Sequence, residues 1–249
     1  MSAPRNLIDR LLLPALEFIY PSVCGVCDLR AGVRGIPVCD TCWCKVVAQG
    51  EIHATDIYDE AIGGSAPVAT TPVYSLGAYT SPLAEMIQLF KYNGHTRLGE
   101  ALTSLLMRHY SERIRACGID LLIPAPLHVS AMRKRGFNQA EIIADKISEA
   151  LGVPSDPSSA MRLRKTGDQT RLSDMARRAN VEDAFAVDES LASKRVAIVD
   201  DVVTTGATVR ALTTALREAQ ANVVAIIALA GVLNFVSSNE AATPDSNAA

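Results

Sequence analysis

The stretch VAIVDDVVTTGATV, Val196–Val209, ends an apolar run on two adjacent carboxylates, Asp200 and Asp201. An unpaired carboxylate in apolar surroundings is costly, so two of them at the end of a strand mark a site. Thr204, Thr205, Gly206, Ala207 and Thr208 then lead into a helix expected over residues 207–219, where Val209, Leu212 and Leu216 recur at helical spacing. A helix N-terminus presents backbone N–H groups without intrahelical partners, at the positive end of the helix dipole. That arrangement suits a phosphate, the threonine hydroxyls add donors, and Gly206 lets the backbone come close. The carboxylates are poor phosphate ligands, but they accept hydrogen bonds from sugar hydroxyls or from Mg²⁺-bound water. A ligand carrying a 5-phosphate and free vicinal hydroxyls satisfies both halves.

Upstream, the same strand-to-polar-loop transition recurs. The apolar DLLIPAPL of residues 120–127 runs into HVSAMRKRGFNQ, and a helix is expected over residues 138–151. Ile142, Ile143, Ile147 and Leu151 share one face of it, Asn138 and Glu141 resemble a capping box, and Gly152 follows its end. VYSLGAY from Val73 reads as a strand, residues 81–92 and 98–114 as helices, and residues 223–233 as a buried strand. Strands alternating with helices imply an α/β fold with a parallel sheet flanked by helices. Such sheets bind ligands beyond the carboxyl ends of their strands, where Asp200 and Asp201 fall.

Of the 249 residues, 49% are hydrophobic and 20% charged, enough for a substantial core. The net charge of −3 excludes a global basic field, so any nucleic-acid contact must rest on local patches. Residues 7–20, LIDRLLLPALEFIY, are too short and too charged for a membrane span and carry Pro14, so they read as an interrupted amphipathic helix. The expectation is a cytoplasmic protein without membrane insertion. Its expected parts are an N-terminal helix and cysteine module (1–50), a linker (51–72), the α/β domain (73–236) and a disordered tail (237–249).

CGVC at Cys24–Cys27 and CDTC at Cys39–Cys42 form a C-x₂-C-x₁₁-C-x₂-C pattern. Each pair can bring two thiolates to one tetrahedral ion, and in a reducing compartment metal is a better account than disulfides. Structural Zn²⁺ on Cys24, Cys27, Cys39 and Cys42 is the expectation, with Cys44 as the alternative to Cys42. A closed four-thiolate site leaves no position for substrate. The four histidines are scattered, and none pairs by spacing with a nucleophile.

Two segments concentrate positive charge: Arg133, Lys134 and Arg135 before Gly136, and residues 161–180 with Arg162, Arg164, Lys165, Arg171, Arg177 and Arg178. Few aromatics accompany them in sequence, Phe137 and Phe185 being the nearest.

Val196–Thr208 resembles, without a gap, the phosphoribosyl-diphosphate (PRPP) signature of type I phosphoribosyltransferases. Taken with LFKYNGHTRLG (89–99), PAPLHVSAMRKRGFNQA (124–140), RKTGDQTRLSDMARRANVEDAF (164–185) and the cysteine cluster, the chain resembles the ComF family, also called GntX-like. The resemblance implies a zinc module on a type I phosphoribosyltransferase-like sheet, with PRPP and Mg²⁺ as ligands. Asp200 and Asp201 would hold the ribose and the Thr204–Thr208 loop the 5-phosphate. Arg133, Arg135, Gly136, Arg164 and Lys165 would meet the pyrophosphate, the last two from a closing loop. It also implies a part in natural transformation, with single-stranded DNA and DNA-uptake proteins as partners. Two functions stay open at this point: a PRPP-binding factor in DNA uptake, or a working transferase that joins phosphoribose to a nitrogenous base and releases pyrophosphate.

Overall fold

The computed structural model describes residues 23–31, 36–48, 52–57 (as backbone), 71–163 and 184–231. The expected N-terminal helix, the loop cations Arg164 and Lys165, and the C-terminal tail lie outside these residues. Among the described residues no helix is long and apolar enough to cross a membrane.

The elements in chain order are α1 (Asp40–Ala48), β1 (Ile52–Ile57), β2 (Thr71–Ser75), α2 (Leu83–Tyr92), α3 (Thr96–Ala116), β3 (Leu121–Pro124), α4 (Val129–Arg135), α5 (Gln139–Leu151), β4 (Ala160–Arg162), β5 (Phe185–Val187), β6 (Arg195–Val203), α6 (Ala207–Glu218) and β7 (Asn222–Gly231). Five strands form one sheet in the order β1-β2-β7-β6-β3. The pairs β2–β7, β7–β6 and β6–β3 are parallel, and β1 closes the edge antiparallel to β2. This is the expected parallel α/β sheet. Strand β1 falls within residues 51–72, read from sequence as a linker; it carries no apolar run, and only its pairing with β2 makes it a strand.

The apolar runs of β3, β6 and β7 are buried because helices cover both faces of the sheet. Successive residues of β6 serve different sides. Ala197 and Val199 pack with α2, α3 and α5, whereas Val196 and Ile198 join Leu212 and Leu216 of α6 and Phe185 of β5. The first of these two cores also takes in Cys24, Ile36, Val38, Cys39, Cys42 and Val46. The cysteine module therefore packs on the sheet domain. Its Gly25 lies so near α2 that a Cβ there would come within 2.6 Å of Leu89.

Helix α5 starts where the sequence indicated. The Asn138 side chain accepts from the Ala140 N–H, and its own amide donates to Glu141 and to the Ala125 carbonyl. This differs from a strict capping box, in which the acid would take the cap's backbone N–H. The stretch before it was read as a loop. It instead forms the short helix α4, capped by His128 Nδ1 accepting from Ser130 N–H and ended by Gly136 at φ 80°. The local signal was a histidine in a capping position, where Ser, Thr, Asp or Asn is the usual choice.

Between α2 and α3 the approach is close because Gly99 faces Phe90. A Cβ on Gly99 would sit 2.5 Å from the Phe90 ring, which is fully buried and also packs on Phe137 at 6.0 Å between centroids. Gly99→Ala is expected to destabilise the protein by about 1–3 kcal/mol through overpacking. A denaturant midpoint equal to that of the parent would show that Phe90 has room to move.

Candidate functional site

The site lies where the parallel strands end. Strand β6 continues through Val203, so Asp200 and Asp201 sit inside it, with Asp200 opposite Ala228 of β7. The sequence reading placed them at the strand's exposed end. In the structure Asp201 is buried, at 8% exposure, and Asp200 is partly buried. Two adjacent carboxylates in such a place need compensation.

Asp201 has an ion-pair partner in Lys91 of α2, whose Nζ is 3.0 Å from Oδ1, with both side chains largely buried. Asp200 accepts the Asp201 backbone N–H at 2.8 Å and lies in the field of both Lys91 and Arg162 of β4. The Arg162 guanidinium stands 5.6 Å over the Phe185 ring, and its burial lowers the guanidinium's affinity for its proton. The two acids are thus compensated from opposite sides of the sheet: Lys91 belongs to the helix layer over Ala197 and Val199, and Arg162 to the side of Phe185. Burial, and then repulsion from Asp201, push Asp200 up to about 7 despite the opposing pull of the Asp201 N–H, Lys91 and Arg162.

Beyond β6, Thr204 and Thr205 are exposed and Gly206 takes φ 71° at the N-cap of α6. No side chain caps this helix in the N-cap position, and Ala207 N–H makes only a long 3.4 Å contact to Thr205 Oγ1. Arg210 donates to the Thr205 carbonyl at 2.5 Å and bends the loop back over the first turn. N–H groups of Ala207 and Thr208 with the threonine hydroxyls can hold a tetrahedral anion there.

The basic turn joins the site through α2. Arg133, Lys134 and Arg135 occupy the last turn of α4, where the helix carbonyls favour cations. Arg135 donates to Gln139 Oε1 at 3.0 Å, and Gln139 Nε2 donates to the Lys91 carbonyl at 3.3 Å. The ring of the exposed Tyr92 lies under Lys134 and Arg135, at 5.9 and 5.3 Å. Three consecutive residues of α2 therefore have three tasks: Phe90 anchors the helix, Lys91 meets the acid and Tyr92 carries the cations. Sequence reasoning singled out neither Lys91 nor Tyr92. Both stand in LFKYNGHTRLG, where a lysine five residues before the next helix has no local mark of burial.

The second candidate centre is the cysteine cluster. The Sγ atoms of Cys24, Cys27, Cys39 and Cys42 all lie within 4.8 Å of one another, with Cys27 and Cys39 at 3.6 Å. A tetrahedral ion with sulfur at about 2.3 Å separates its ligands by roughly 3.8 Å, so the four thiols fit one metal ion. The first pair rides a tight turn, in which Cys24 N–H donates to the Leu29 carbonyl and Asp28 N–H to the Cys24 carbonyl. The second pair opens α1, where Cys42 N–H donates to Cys39 Sγ at 3.4 Å. Cys44 is exposed and outside the group, whose fourth member is Cys42. Burial opposes ionisation of Cys24, but N–H groups of Cys39, Val26 and Cys27 overcome it and bring the thiol down to about 6.

Residues 125–245 match the phosphoribosyl transferase domain family. The chain is 29% identical over 191 residues to the DNA utilization protein YhgH of Salmonella typhi, covering 76% of this chain and 74% of that protein. It is 33% identical to competence protein F of Haemophilus influenzae (57% of this chain, 65% of that one) and 32% identical to YhgH of Escherichia coli strain K12 (53% and 59%). The match thus spans less than two thirds of the length of each of the last two.

Two outcomes follow from the site. Asp200 binds its proton more tightly folded than unfolded, so its charge costs stability, nothing below about pH 4 and the full amount above about pH 7. Asp200→Asn is therefore expected to stabilise the unliganded protein by about 1–2 kcal/mol at pH 8 and by less at pH 5. A difference independent of pH, followed by thermal unfolding, would contradict this. Elemental analysis should find about one metal ion per chain, retained in Cys44→Ser and lost in Cys42→Ser; the reverse pattern would move the fourth ligand.

Proposed function

We propose that this chain, whose domain match, relatives and cysteine cluster together fit a ComF-type protein with a phosphoribosyltransferase-like domain, binds PRPP and works in the uptake and handling of single-stranded DNA. The observation that carries the reading is the Asp200–Asp201 pair running into the Thr204–Thr208 loop and the start of α6, with Arg135 of α4 linked to it through Gln139 and Lys91. The uncapped start of α6 takes the 5-phosphate. The Asp200 carboxylate, without a direct ion pair among the described residues, accepts from the ribose hydroxyls. Arg133 and Arg135 take the diphosphate, reached past Gly136, with Arg164 and Lys165, outside the described residues, as its further expected cations. Cys24, Cys27, Cys39 and Cys42 would hold a zinc ion that supports the folded N-terminal module, and four thiolate ligands would leave it no share in the chemistry. The Mg²⁺ expected with PRPP would travel on the diphosphate. The cytoplasm, where thiols stay reduced, is the compartment that suits the cluster.

Single-stranded DNA would follow the same basic turn. Tyr92 supplies what the sequence lacked, an exposed ring among cations on which a base can stack. The DNA-related names of the relatives support this partner. DNA-uptake proteins are the corresponding protein partners. If the chain also transfers phosphoribose, a base nitrogen attacks the ribose C1 as the C1–O bond to pyrophosphate breaks, and the cations of α4 stabilise the departing charge.

The reading is tested by calorimetry with PRPP. Asp200→Asn/Asp201→Asn should weaken binding at least tenfold, about 1.4 kcal/mol; equal affinity would refute it. DNA binding, followed by fluorescence anisotropy, should fall steeply with salt and be displaced by saturating PRPP. DNA binding that ignores PRPP would place the strand elsewhere. Pyrophosphate release in the presence of a nucleobase panel separates a transferase from a holding site.

A further inference from the structure

Mg²⁺ is the cation that the resemblance assigns to such a site, yet Asp201 already has a cation of its own. Lys91 Nζ lies 3.0 Å from Asp201 Oδ1 in a pair with side-chain exposures of only 14% and 11%. Arg162 stands on the other side, toward Asp200. The lysine arm is held at its root. Its carbonyl accepts from the almost fully buried Gln139, Phe90 before it is sealed in the core, and Tyr92 after it lies under Lys134 and Arg135. Moving the ammonium away would leave Asp201 buried without its partner.

Mg²⁺ needs a near-octahedral set of oxygens at about 2.0–2.1 Å and commonly keeps several waters. A dication drawn to these carboxylates would arrive beside the Lys91 ammonium, itself 3.0 Å from Asp201 Oδ1, and in the field of the Arg162 guanidinium, in partly buried surroundings where repulsion is weakly screened. Asp201 has one oxygen engaged by the lysine, and Asp200 has one engaged by the Asp201 N–H. The residues do not fit a divalent ion on the acids themselves.

We propose that Lys91 is the resident counter-cation of the Asp200–Asp201 pair, so that the site takes a phosphorylated sugar without recruiting a divalent metal ion to these carboxylates. The sugar rests on the reading above; the exclusion of metal stands on the ion pair alone. Lys91 is thus a positioning residue. It fixes Asp201, leaves Asp200 as the acceptor for hydroxyls, and confines any Mg²⁺ to the diphosphate end of the ligand.

The test titrates Mn²⁺ alone into the zinc-loaded full chain, followed by electron paramagnetic resonance, with Asp200→Asn/Asp201→Asn as the background. The parent should show no saturable binding above that background up to about 1 mM, and Lys91→Met should gain a site at least tenfold tighter. Lys91→Arg, which keeps the charge, should behave as the parent. Circular dichroism reports whether each variant is folded. If Lys91→Met does not fold, Lys91→Gln, polar and of similar length, takes its place. Tight Mn²⁺ binding by the parent that disappears in the double variant would overturn the proposal, as would a folded charge-removed variant that gains nothing. Calorimetry with PRPP in a chelator and in excess Mg²⁺ separates this claim from the ligand assignment. Parent affinities within about threefold support the lysine's role. PRPP binding that requires Mg²⁺ and also restores a metal ion to the acids overturns it, and no PRPP binding in either condition overturns the sugar reading while the Mn²⁺ result still judges the lysine.

Discussion

A buried pair of neighbouring carboxylates organises this molecule. Asp200 and Asp201 follow four buried apolar residues on a central strand, where Asp201 is buried and Asp200 only partly open to solvent. The fold meets that demand with fixed charges from outside the strand, Lys91 from α2 and Arg162 from β4. Because neighbouring strand residues look to different faces, one acid is met from each side of the sheet. Desolvation and mutual repulsion still hold Asp200 far above the usual carboxylate range. The site is therefore a strained electrostatic balance rather than an exposed acidic edge.

Delivering Lys91 places conditions on α2. Its seat depends on Phe90 against Gly99 and Phe137, and on Gln139 holding the Lys91 carbonyl. Farther back along the same helix, Leu89 meets Gly25 of the cysteine turn. One helix thus touches the candidate metal centre, the basic turn and the carboxylates. The cysteine module shares its apolar residues with the core around α2 and α3, which is how so short a segment obtains enough buried surface to be ordered. The thiol cluster and the carboxylate site remain chemically separate while resting on a common element.

Much was legible in the chain because its signals are local. The strand–Thr-Thr-Gly–helix run needs only neighbouring residues to form, so the start of α6 after Gly206 follows from residues 196–209, and the helical spacing of Val209, Leu212 and Leu216 extends it. The cysteine spacing likewise limits the metal set to a few residues. It put Cys42 first with Cys44 as the alternative, since both lie close after Cys39; the fold brings Cys42 into the cluster and leaves Cys44 exposed. Strand β1 was illegible for the opposite reason, having no pattern of its own apart from a partner edge.

The sequence by itself determined the alternation that builds a parallel sheet, the phosphate-type turn, the paired acids and the four thiols, because each depends on periodicity or short spacing. Only the tertiary structure decided what those acids experience. Lys91 and Asp201 are more than a hundred residues apart, and Tyr92 reaches Lys134 and Arg135 only when α2 and α4 pack beside each other. Burial, the extra strand residues beyond Asp201 and the charge of each neighbour are properties of that packing. A carboxylate's energy is set by the dielectric and the cations around it, and these are assembled from segments that no local pattern connects.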